Sequence, residues 1–158
     1  MKIVKYILQG LLVILIILQF IRPEKNTNGY ESISEFETET KPSSDVSLIL
    51  KENCYNCHSN HTEYPWYAEI APISFFINEH INHGKSHFNV SEWNTYSAKK
   101  KDRKIEELIE MVEKEEMPLN SYKLLHGDMS ENEQKLLLQW AGLVRLQYKS
   151  QLKVSIAY

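Results

Sequence analysis

The chain has 158 residues, of which 42% are hydrophobic and 25% charged, the composition of one ordinary globular domain. Residues 1–25 carry four Lys/Arg and one acid; the rest holds 14 basic and 20 acidic residues, a formal charge of −6. An acidic domain without a long basic stripe argues against nucleic-acid binding, and only two cysteines, Cys54 and Cys57, exclude a multi-disulfide scaffold.

In chain order, the first feature is an apolar run over residues 7–21, broken only by Gln9, Gly10 and Gln19 and preceded by Lys2 and Lys5. Counted from Ile3 it is about 19 residues, close to the ~20 that span a bilayer. No small-residue cleavage site follows, so residues 1–22 are expected to be an uncleaved transmembrane anchor. Residues 23–43 are Glu/Ser/Thr-rich and read as a flexible linker with a reach of roughly 25 Å.

From residue 44 the periodic segments are helical, and no β-type alternation is visible. Ser44 is expected to cap a short helix through Val46, Ile49 and Leu50. Residues 71–83 place Ile73, Phe76, Ile77, His80 and Ile81 three and four apart, with Gly84 as the expected stop. Asp102 is expected to cap a third helix bearing the stripe Ile105, Leu108, Ile109, Val112. A capping box, Ser130-x-x-Glu133, opens a fourth, whose buried face is Leu136, Leu137, Trp140, Ala141 and Val144. The long loops between them, rich in aromatics, call for something to fill the middle. The domain is expected over 44–149 and a tail over 150–158.

Cys54-Tyr55-Asn56-Cys57-His58 has the form Cys-x-x-Cys-His, the attachment signature of c-type haem. Two thiols add to the two vinyl groups, and the adjacent imidazole becomes the proximal iron ligand. Three rivals stand beside this reading. A redox dithiol needs a βαβ surround, which is not visible. A zinc site built from Cys54, Cys57, His83 and His87 has 25 residues between its pairs, beyond the usual 12 to 15 or so, and leaves His58 without a role. A simple disulfide is the third. Haem is favoured, and the fold class is then all-α, a cytochrome c-like domain around one covalent haem c, preceded by a transmembrane helix. Attachment of haem outside the cytoplasmic membrane puts that domain on the periplasmic side of a single-pass bacterial membrane protein.

For the sixth ligand, Met117-Pro118 is favoured, since the proline stiffens the loop that presents the thioether. Met111 and Met129 read as core filler. His80, His83, His87 and His126 keep a bis-His alternative open.

These motifs together resemble the bacterial haem-binding domain family of small cytochrome c-like proteins, over about residues 46–142. The resemblance begins at Cys54-x-x-Cys57-His58-Ser59-Asn60 and continues through Tyr64-Pro65-Trp66-Tyr67 and Ile70-Ala71-Pro72-Ile73-Ser74. It then takes in His87-Phe88-Asn89-x-Ser91-Glu92-Trp93, Glu116-Met117-Pro118, Tyr122, Leu125-His126 and Trp140. Gly127, where Pro is expected, and Lys85, where Arg is common, depart from the pattern without touching the proposed ligands. By analogy with cytochromes c, Pro72 is expected to accept the His58 Nδ1 hydrogen, and Tyr122, Trp66 and Trp93 to face the haem propionates. The expected function is one-electron transfer with redox partner proteins of the membrane or periplasm rather than enzyme catalysis. The alternative is a haem-based sensor or a peroxidase-like enzyme with a displaceable sixth ligand.

Overall fold

The structure, a computed structural model, describes residues 2–156. Among these residues it is all-α. The α-helices are α1 (Lys2–Leu18), α2 (Ser34–Thr40), α3 (Ser44–Asn53), α4 (Tyr55–His58), α5 (Ile73–His87), α6 (Ala98–Glu113), α7 (Asn120–His126) and α8 (Glu131–Ile156). Short 3-10 turns at Tyr30–Ile33, Trp66–Glu69 and Val90–Thr95 join them, and one isolated bridge pairs Thr27 with His61.

The scaffold is the antiparallel pair α6 and α8. The stripe read on α6 faces inward, with Ile105 and Val112 buried and Leu108 and Ile109 packed at the edge of the core. Opposite them lie Leu137, Trp140, Ala141 and Val144 of α8, all buried. The capping box forms: Ser130 Oγ accepts from Glu133 N at 3.3 Å, and Glu133 Oε2 accepts from Ser130 N at 2.7 Å. Arg145 of α8 closes the outer edge on Asp102 at 3.3 Å and also pairs with Glu106. Because Asp102 is engaged there, α6 starts a turn earlier than expected. Its cap is Ser97, whose hydroxyl accepts from Lys100 N. Likewise Ser43 rather than Ser44 caps α3.

The transmembrane expectation is overturned. Among the described residues no helix is long and apolar enough to cross a membrane. Helix α1 ends at Leu18 after 17 residues, about 26 Å of helix against a ~30 Å hydrocarbon core. The chain then leaves the helix, and the Gln19 side chain ties it to the rest of the molecule. Gln19 Oε1 accepts from Ala71 N at 3.0 Å, and its Nε2 donates to Ala71 O at 3.1 Å. The apolar run read as one span is therefore a shorter helix plus a docked turn. The location expected for a single-pass membrane protein, which needs that span, is contradicted with it.

Residues 23–43, expected as a flexible linker, are in large part built into the domain. Asn26 is held by the Ser59 carbonyl at 2.9 Å and by Thr62 and Tyr64, and Asn28 N donates to Asn60 O at 2.8 Å. Phe36 of α2 is 0% exposed, edge-on to Trp93 at 5.0 Å and to Trp140 at 6.0 Å. The acidic composition of the segment hid a single aromatic anchor, and one fully buried ring suffices to dock a two-turn helix. Residues 150–156, expected as tail, continue α8, while 157 and 158 lie outside the described residues.

Replacing Phe36 with Ala should cost about 3–5 kcal/mol of stability in denaturant unfolding, the usual range for a buried phenylalanine. A loss below about 1 kcal/mol would show that the segment is not part of the folded core.

Candidate haem site

The motif forms one tight turn. Cys57 N and His58 N both donate to Cys54 O, at 3.1 and 3.0 Å, which puts Cys54, Cys57 and His58 on one face. Helix α5 lies directly on this turn. Gly84, expected to end that helix, sits inside it, and a Cβ there would stand 2.8 Å from the Cys57 carbonyl oxygen. Glycine is required for that approach, and the helix runs on to His87.

The continuation matters because Phe88, the next residue, turns its carbonyl to His58 Nδ1 at 2.8 Å. A carbonyl only accepts, so Nδ1 carries the hydrogen and Nε2 keeps a free lone pair, the form that ligates a metal. Burial lowers the His58 pKa, which keeps the ring neutral at physiological pH. The two thiols are half-buried beside it; Cys54 is pushed up to about 12, by burial first and then by Cys57, and Cys57 to about 11 by burial. Among the described residues no group of three or more His, Cys, Asp or Glu is placed to hold a metal ion, which disfavours the zinc reading.

Cys54 and His58 open into an apolar cavity of about 580 Å³, within the usual size range of cofactor sites. Its lining also includes α6 and the loop after it. That loop leaves α6 with Glu115 in the left-handed region (φ 57°), and Glu116 N and Met117 N both bond back to Met111 O, at 2.9 and 3.2 Å. The curl carries Met117 and Pro118 onto the cavity wall, joined by Met111, Leu108 and Met129. Arg103 and Lys104, read from sequence as a solvated helix start, also border it. Both are paired with Glu107 of the same wall, at 3.0 and 2.6 Å.

The other expected site residues are placed differently. Pro72 caps the start of α5; its carbonyl accepts from Phe75 N and Phe76 N, and the Phe88 carbonyl takes the role expected of it at His58. Trp93 is 0% exposed in the core and donates its indole N–H to Tyr148 Oη at 3.1 Å, away from the cavity. Trp66 and Tyr122 line a separate groove on the Cys57 side. Of the alternative histidines, His83 and His87 border the His58 cavity, and His80 and His126 the groove. Sequence reasoning missed Gly84 as a packing residue and, although Phe88 stands in the family motif, missed its carbonyl as the partner of His58. The signal for Phe88 was its position one residue past a helix that had been ended too early.

A half-buried imidazole with one nitrogen committed to a carbonyl, sharing an apolar cavity with the Cys54 thiol and the Met117 thioether, is a donor set that fits haem. The comparison with protein families agrees: the family model of the haem-binding domain matches residues 13–142, and the chain belongs to that family. No curated protein and no solved structure matches it.

Gly84→Ala should destabilise the protein by about 1–3 kcal/mol in urea unfolding and lower the haem content per chain, because its methyl meets the backbone of the motif turn. Gly142→Ala in α8, where a Cβ meets nothing within 4 Å, should instead stabilise by about 0.5–1 kcal/mol. Equal effects of the two changes would contradict the close approach.

Proposed function

We propose that the protein carries one haem, attached through Cys54 and Cys57, with His58 and Met117 as axial ligands, and that it exchanges single electrons with redox partner proteins. The observation that carries this reading is one cavity lined by both His58, whose Nδ1 is committed to the Phe88 carbonyl, and Met117. When bound, the haem supplies a one-electron couple at iron. The chain's own residues hold it. Phe88 orients His58, the curl after α6 positions Met117, and the cavity's aliphatic and thioether lining excludes water. A thioether ligand favours ferrous iron relative to imidazole and leaves no open position, which suits transfer rather than turnover. The competing reading, a sensor or peroxidase-like enzyme, requires Met117 to leave the iron.

Protein made with a c-type maturation system should keep a mass larger than the polypeptide by one haem after acid–acetone extraction. A mass equal to the bare chain would sink covalent attachment. Met117→Ala should convert low-spin to high-spin iron that takes up carbon monoxide, and Met117→His should stay low-spin with a lower reduction potential. Met111→Ala and Met129→Ala should leave the spectrum unchanged. An unaltered spectrum in Met117→Ala would remove Met117 as ligand and turn attention to His83 and His87, whose rings lie 4.6 Å apart on the same cavity.

A further inference from the structure

Helix α1 takes no part in the core. None of its residues is buried, and its large apolar side chains from Ile3 to Ile17 are between 42% and 75% exposed. So much uncovered apolar surface on one element marks a place where something binds. The polar residues of the helix are few and stand together. Lys2, Lys5 and Gln9, at i, i+3 and i+7, share one face, and apart from Tyr6 and Gly10 the rest of the circumference is Ile, Leu and Val. The two lysines are the only charged residues between positions 2 and 21. Exposed rings, Tyr6 and Phe20, flank the apolar stretch at either end. The exit of the helix is tied to the domain: Gln19 bonds Ala71 in both directions, and Arg22 and Lys25 both pair with Glu69.

We infer that α1 lies in the surface of an anionic lipid membrane, along its plane and without crossing it. Lys2, Lys5 and Gln9 face the headgroups, and the apolar circumference sinks into the boundary with the acyl chains. Length agrees with this placement: 17 residues reach about 26 Å, short of the ~30 Å hydrocarbon core. Shape selects lipid over a folded partner. A protein groove covers one side of a helix and leaves the others wet, whereas fluid acyl chains close around everything but the polar stripe. Charge selects an anionic surface, since positions 2–21 hold two lysines and no acid to be repelled. Charge also disfavours a second copy, whose α1 would offer the lysines no carboxylate. The ties at Gln19 and Glu69 then hold the domain against the surface. Haem plays no part in this binding.

The test is flotation of the full chain, haem-loaded, with two kinds of vesicle: phosphatidylcholine alone, and phosphatidylcholine mixed with phosphatidylglycerol. The expected result is flotation with the mixed vesicles, weakened by salt. Lys2→Gln with Lys5→Gln should weaken that binding roughly ten- to thirtyfold. Leu11→Asp with Ile14→Asp, at exposed positions where no core contact is lost, should abolish it. Leu143→Asp on α8, a leucine 68% exposed, should leave it unchanged. A membrane-impermeant amine reagent should label Lys2 and Lys5 on vesicle-bound protein. Shielding of both lysines would show a crossing helix and overturn the in-plane placement. Equal flotation with the two vesicle types, or flotation kept by the Leu11→Asp, Ile14→Asp variant, would overturn the assignment to an anionic surface through α1. So would the absence of flotation; if dimerisation in vesicle-free solution is lost in that variant, α1 belongs to a second copy instead.

Discussion

Helix α5 crosses the cysteine-bearing turn at Gly84, where the backbone of one element touches the backbone of the other. Any side chain there would lift the helix, and the lift would be felt at both of its ends. Phe88, one residue past the helix, would lose its reach to His58 Nδ1, and with it the tautomer that leaves Nε2 as a ligand. Ile73, Phe76 and Ile77, on the first half of the helix, would lose their place along the groove beside Cys57. One missing methyl group thus sets the relation between the motif, the orientation of its histidine and the two hollows on either side of it.

The rest of the cavity lining is held by different forces. The α6–α8 pair is fastened by aliphatic packing and by Arg145 on the Asp102 and Glu106 carboxylates. Its hold on the site is indirect: the exit from α6 curls back on Met111 O, which aims Met117 into the cavity. Residues 26–40 then strap the two halves together. Phe36 inserts among Trp93, Phe88 and Trp140, Trp140 donates to Thr40 O at 3.1 Å, and Lys101 pairs with Glu39 at 2.5 Å. The family match, which starts at residue 13, includes this strap.

What the sequence made legible is what depends on local periodicity or on a fixed chemical motif. The stripes of α6 and α8, the capping box and the tight turn over Cys54–His58 all belong to that kind. What it hid depends on contacts between distant segments. By analogy the backbone carbonyl of Pro72 was expected at His58 Nδ1, but it is the Phe88 carbonyl that stands there, and since any residue can supply a carbonyl no side chain announces which one does. Trp93 looked like a cofactor aromatic and is a core residue, because the Asn89-capped turn that bears it faces Phe36 and Tyr148. The apolar run at the amino terminus was counted as one helix, whereas Gln19 docks its end on Ala71. Phe36, set among acids, carried no weight in a composition average and much in the fold.

The central claim is that His58 and Met117 face one another across a single haem. The absorption spectrum of the oxidised, haem-loaded wild-type protein tests it most directly. The account expects a low-spin spectrum with the weak long-wavelength sulfur-to-iron charge-transfer band of a thioether ligand. A high-spin spectrum, or a low-spin one without that band, would contradict it.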